Sequence, residues 1–190
     1  MRTTERDRRI IEFLFEFEVA DTDQIRRMFF PTQSQGKLLA RRAMRRVIEL
    51  EPEIKREEWV TGRNVFYLKK AQLKHKLLIT EFYSRLMTGP GRILEWDRHP
   101  SFGSTRVVRP DLFIAYEYAK KAYLFFLEAQ ISANPLNLEK YERLKASGEC
   151  DLPAFPRVVV ISYREPRVKS SFKVVWLPVD FAGFERVFVN

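Results

Sequence analysis

Two acidic residues stand where charge is costly. Asp111 opens the apolar run LFIAYEY, and Glu128 closes the run AYLFFL, so both carboxylates lie beside segments that read as buried strands. If the two runs form a hairpin turning between Ala119 and Lys120, antiparallel pairing sets Asp111 directly opposite Glu128. Gln130, two residues on, shares the Glu128 face. Opposed like charges repel and call for a cation. A Mg2+ ion held by Asp111 and Glu128 would keep coordination sites for a water and a phosphate oxygen, and would activate that water for attack on phosphorus. The metal-free alternative has Asp111 capping or pairing with Arg109 and Glu128 pairing with Lys140. No glycine fixes the turn, and a slip of one residue would separate the two acids.

A second constellation is cationic. Winding residues 33–50 as a helix sends Leu39, Ala40, Ala43, Met44, Val47 and Leu50 to one side and Lys37, Arg41, Arg42, Arg45 and Arg46 to the other. No acid interrupts the stretch from Gln33 to Ile48. Such a face suits the major groove of double-stranded DNA, where arginine pairs with guanine edges or binds phosphate oxygens. Gln33 and Gln35 at the helix start either reach base edges or only cap the helix. The alternative for the whole stripe is a solvated surface with no partner.

The elements that must position these residues follow from spacing and punctuation. Apolar residues from Ile10 to Phe17 recur at helical spacing in Thr4 to Phe17, and Asp21 with Gln24 forms a capping pattern for a helix from Thr22 to Phe29, stopped by Pro31. The basic helix follows. Segments Ile54 to Val60 and Asn64 to Leu68 flank Thr61-Gly62-Arg63 and predict a hairpin with Arg63 at its tip. Three helices and a hairpin give the order of a winged helix-turn-helix. A boundary near residue 70 divides the chain into 1–70 and 71–190. The second part is expected to hold a helix from Leu73 to Met87, ended by Thr88-Gly89-Pro90-Gly91, and another from Asn137 to Ser147. Strands are expected at Ile93–Arg98, Pro110–Tyr118, Tyr123–Gln130, Arg157–Tyr163 and Phe172–Leu177. LFIA and LFFL are apolar on both faces, so an α/β sheet covered on each side is predicted, within an α+β chain overall.

Composition sets outer limits. The chain has 190 residues, 45% of them hydrophobic, with 16 Phe, 7 Tyr and 3 Trp, which is too apolar for a solvated tail. A net charge of +9 favours a polyanionic partner. One cysteine and two separated histidines exclude an intrachain disulfide and a Cys/His zinc cage. No apolar run is long enough to span a bilayer, and the first ten residues are charged where a signal peptide is apolar. The expectation is a cytoplasmic chain with no membrane partner.

Arg109-Pro110-Asp111 on one strand, Phe126-Leu127-Glu128-Ala129-Gln130 on the next, and Lys140-Tyr141 in the following helix resemble the PD-(D/E)XK nuclease-like superfamily over about Leu73 to Tyr163. Together with Arg9-Ile10-Ile11, Asp23-Gln24-Ile25 and His75-Lys76-Leu77, the chain is similar to the replication-relaxation family of plasmids and other mobile elements. The resemblance implies a winged helix followed by a restriction-endonuclease-like α-β-β-β-α-β core. It also implies Asp111 and Glu128 as metal ligands, Glu81 as a further acid, and Gln130 where active nucleases carry lysine. Glutamine hydrogen-bonds but cannot supply positive charge, so Lys140 would have to stand in. Three readings follow: a DNA-binding protein in replication control or transcription with a degenerate nuclease-like domain, a Mg2+-dependent endonuclease, or a protein-interaction module. A homodimer is compatible with each.

Overall fold

A computed structural model describes residues 3–59, 62–104, 107–131, 137–166 and 169–189. Among them are five α-helices and two sheets, a mixed α/β chain. The chain divides into two compact units, Met1–Gly89 and Pro90–Asn190. No helix of the described residues is long and apolar enough to cross a membrane.

In the first unit, α1 (Glu5–Phe17) begins where Thr4 and Asp7 cap each other. The Asp7 N–H donates to the Thr4 hydroxyl and the Thr4 N–H to the Asp7 carboxylate, each at 3.1 Å. Glu18, at φ 61°, ends the helix. A short strand, β1 (Val19–Asp21), leads into α2 (Thr22–Phe29). Its length is too small for alternation to show in the sequence. Asp21 caps α2 through the N–H groups of Asp23 and Gln24, at 2.7 and 2.8 Å, and Gln24 Oε1 accepts from the Asp21 N–H at 3.0 Å. Cap, partner and helix range match the sequence expectation.

The basic helix, α3 (Gly36–Leu50), starts three residues after the predicted Gln33. Residues 33–35 form a turn in which the Gly36 N–H donates to the Gln33 carbonyl at 2.9 Å. Ala40, Ala43, Met44 and Val47 are buried on its core side with Ile10, Leu14 and Ile25. The predicted hairpin forms as β2 (Lys55–Glu58) and β3 (Asn64–Tyr67), antiparallel, with β3 between β1 and β2. Gly62 takes the positive φ that its turn requires, +69°. Val60, the end of the first expected strand, and Thr61, the start of the expected turn, lie outside the described residues.

The next helix, α4 (Leu73–Met87), has the predicted range but packs on β1 and α2, so the first unit runs to Gly89 rather than to residue 70. Leu73 and Leu77 cover Val19 and Val65. Thr80 Oγ1 donates to the Val19 carbonyl at 3.0 Å, and Gln24 Nε2 to the Leu77 carbonyl at 3.1 Å. Buried apolar surface on one side and satisfied backbone acceptors on the other hold α4 there.

The second unit is built on a five-stranded sheet of order β4-β5-β6-β7-β8: β4 (Arg92–Asp97), β5 (Leu112–Tyr118), β6 (Lys121–Gln130), β7 (Arg157–Ser162) and β8 (Val174–Pro178). Each lies within two residues of its predicted bounds. The pairs β4/β5 and β5/β6 are antiparallel, whereas β6/β7 and β7/β8 are parallel. Before β4, Gly91 passes so close to β5 that a Cβ would meet the Glu117 carbonyl at 2.2 Å, a site open only to glycine. A crossover helix, α5 (Glu139–Ser147), joins β6 to β7. It places Leu138, Tyr141 and Leu144 on the sheet face formed by Phe113, Ala115, Phe126, Val158 and Val160. On the opposite face, Phe188 from the terminal 3-10 turn (Phe184–Phe188) meets the rings of Tyr116, Tyr123 and Phe125. Arg157 fastens that segment by donating to the Val187 carbonyl at 2.7 Å.

Candidate functional site

The β5/β6 register pairs Tyr118 with Lys121 and Leu112 with Leu127, with Ala119 and Lys120 both at positive φ in the turn. The Asp111 N–H continues the ladder by donating to the Leu127 carbonyl at 2.9 Å. Asp111 and Glu128 therefore share the sheet face that α5 covers, as the hairpin argument expects.

The cation beside Glu128 belongs to the chain. Lys140 Nζ lies 2.6 Å from Glu128 Oε1, and the Tyr141 hydroxyl donates to the same oxygen. Asp111 Oδ2 accepts from the Ala129 N–H at 2.8 Å. Arg98, a buried residue just beyond β4, sends Nη1 toward the Asp111 carbonyl at 3.4 Å. Burial pushes the Glu128 carboxyl above its ordinary range; Lys140 and Tyr141 oppose that push and the charge of Asp111 adds to it. Burial, then the Glu128 charge, raises the Tyr141 hydroxyl, which stays a donor. As arranged, the chain's own donors already occupy one oxygen of the acid pair. The Glu128 oxygen facing α5 already carries an ammonium and a phenol, and no group of three or more His, Cys, Asp or Glu among the described residues is placed to hold a metal. Gln130 ends β6 opposite Ser162, half-buried.

Glu81 belongs to the first unit. Its Oε1 contacts Arg27 at 2.9 Å and Arg85 at 2.7 Å, and its Oε2 accepts from Gln24 Nε2 at 3.2 Å. Burial raises its carboxyl, but these partners outweigh burial and hold it below the ordinary range. The acid carried over as a catalytic candidate thus serves as the joint between α2 and α4.

The cationic constellation divides into two classes. Arg46 makes a two-point pair with Asp7, Nη2 to Oδ1 at 2.8 Å and Nε to Oδ2 at 3.2 Å, and the Asp7 side chain has 0% exposure. Arg63 folds back from the hairpin tip and pairs with Asp21, the cap of α2. Both were expected among DNA contacts; both are tied to buried acids. Lys37 is exposed and 3.7 Å from Asp23. Arg41, Arg42 and Arg45 are exposed, and none makes an ion pair or side-chain hydrogen bond among the described residues. Gln33 and Gln35 are exposed, and Gln35 gives no side-chain cap to α3. Leu38, 43% exposed, shares this surface and was not singled out from sequence because its neighbour Leu39 carries the core pattern. Arg98 was missed too, since no spacing links it to Asp111, whereas Tyr141 stood in the Lys140-Tyr141 motif without a role.

Comparison of the chain with protein-family models, with curated proteins and with solved structures gave no match.

Proposed function

We propose that this chain binds double-stranded DNA by laying the exposed face of α3 in the major groove, with the first unit acting as a winged helix-turn-helix. The observation that carries the reading is the contrast on one helix. Arg46 is consumed by an internal pair, while Arg41, Arg42 and Arg45 stand exposed and unpaired beside Lys37. A helix that leaves three guanidiniums unneutralised repels itself, and phosphate relieves that repulsion. Gln33, Gln35 and Leu38 add hydrogen-bonding and apolar groups at the end of α3 that would meet base edges. The order α1-β1-α2-α3-β2-β3, with β3 central, supports the winged-helix reading. On the resemblance to the replication-relaxation family, the proposed setting is replication control or transcription on a plasmid or other mobile element, with the second unit read as a degenerate nuclease-like domain.

The test is fluorescence anisotropy on duplex DNA across a salt series. Affinity is expected to fall steeply with salt, and Arg41→Ala with Arg45→Ala should flatten the log–log slope by about 2 while leaving the fold intact. An unchanged affinity in that double variant would falsify the assignment of α3. The endonuclease reading draws on the opposition of Asp111 and Glu128. Nicking of supercoiled plasmid in Mg2+ or Mn2+, abolished by Asp111→Asn, would establish it in place of the binding-only reading.

A further inference from the structure

A helix with one core face and one basic face keeps its apolar side chains on the core side, and α3 follows that rule with one exception. Ala40, Ala43, Met44 and Val47 are buried, and Leu39, Ile48 and Leu50 are half-buried. Leu38 is 43% exposed. It stands in the first turn of α3, with Gln35 three residues before it, Arg42 four residues after it and Arg45 three beyond that. Those steps set the four on one stripe of the exposed side. Glu49, exposed and four residues past Arg45, ends the basic run. Phosphate repels an acid there, so the N-terminal end of α3, where Leu38 lies, is the end suited to enter a groove. A single exposed leucine on a protein surface is ordinary. This one is set among guanidiniums and an amide, on the stripe that would face base edges.

We infer that Leu38 is a specificity-determining residue that selects thymine by packing on its C5-methyl group. The inference rests on the DNA reading of α3 and deepens it from phosphate binding to sequence recognition. In the major groove the base edges present donors and acceptors, and the thymine methyl is the apolar group among them. Leucine has neither a donor nor an acceptor to offer, so against the other base edges it strips water from polar atoms and returns nothing. Against thymine it buries a methyl group on an apolar surface. Arg42 follows about 6 Å along the helix axis, roughly one or two base steps, where its guanidinium reaches guanine O6 and N7 or a phosphate oxygen. The arginines hold α3 to DNA of any sequence, whereas uncharged Leu38 separates sequences without changing the dependence on salt.

The test selects duplexes from a random library with the full chain, then measures anisotropy on the selected site with each thymine replaced in turn by deoxyuridine, which pairs identically and lacks only the methyl group. One such replacement should weaken binding about fourfold, the cost of returning one methyl group to water. Leu38→Ser should bind the thymine and deoxyuridine duplexes equally, with the salt slope of the native chain, while Leu38→Met, which retains an apolar tip, should keep the preference. Native binding that is indifferent to deoxyuridine at every thymine overturns the inference. So does a library that yields no preferred sequence, or a folded Leu38→Ser chain that still prefers thymine. In each of these cases a steep salt dependence would leave the DNA reading standing, whereas a chain with no affinity for any duplex at low salt overturns both.

Discussion

Arg46 sets its guanidinium on a carboxylate with no solvent exposure, so its removal leaves the buried Asp7 with only the Thr4 contacts that cap α1. Arg46→Ala is expected to lower stability by about 2 kcal/mol in urea unfolding, a cost of the kind incurred when one partner of a buried pair is deleted. Arg41→Ala and Arg45→Ala, at exposed unpaired positions, should change it by less than about 0.5 kcal/mol. Asp7 also sets a pH dependence. Burial raises its carboxyl, but hydrogen bonds from Arg46 and Thr4 outweigh burial and hold it below its ordinary value. A depressed folded-state pKa means that the contribution is present above the unfolded pKa and lost as pH falls through the folded one. The stability gap between the native chain and Asp7→Asn, measured by thermal melts, should therefore shrink as pH drops from about 5 toward 3.

At the level of elements, the β5/β6 hairpin carries its acids at the far end of a tight two-residue turn. Ala119 and Lys120 adopt φ 50° and 61°, a conformation that costs side-chain-bearing residues energy. Replacing them with Asn-Gly should raise stability by roughly 1 kcal/mol with the register unchanged, read as a higher urea midpoint. The strain is tolerated because the strands beyond the turn are buried on both faces and their pairing leaves no alternative register that keeps Phe113 and Phe126 under α5. The same burial explains why alternation fails in LFIA and LFFL and why both runs could be recognised as central strands before their order was known.

For the whole molecule, the division at Gly89 governs how the two units could be separated. A fragment of residues 1–89 is expected to fold and to carry the proposed salt-dependent DNA affinity. A fragment ending at residue 70 loses Leu73 and Leu77 from the cluster around Val19 and Val65 and should be weaker by about 3 kcal/mol or more, measured by circular dichroism melts. Equal stability of the two fragments would show that α4 does not belong to the first unit.

Most element ranges were legible in the sequence because they depend on local rules. The Asp21–Gln24 capping pair, the glycine at 62, the two faces of α3 and the doubly apolar strands each act over a few residues, and even the opposition of Asp111 and Glu128 followed once the turn was placed. What spacing could not decide is which charge meets which. Asp7 and Arg46 are brought together from different helices, Glu81 is claimed by Arg27 and Gln24 in the first unit, and Arg98 comes to Asp111 from outside any motif. Ion pairs form between side chains far apart in sequence, so packing, rather than pattern, took Arg46 out of the basic stripe and Arg63 off the hairpin tip, left Arg41, Arg42 and Arg45 unpaired among the described residues, and chose the Glu128–Lys140 pair from the alternatives that spacing had left open.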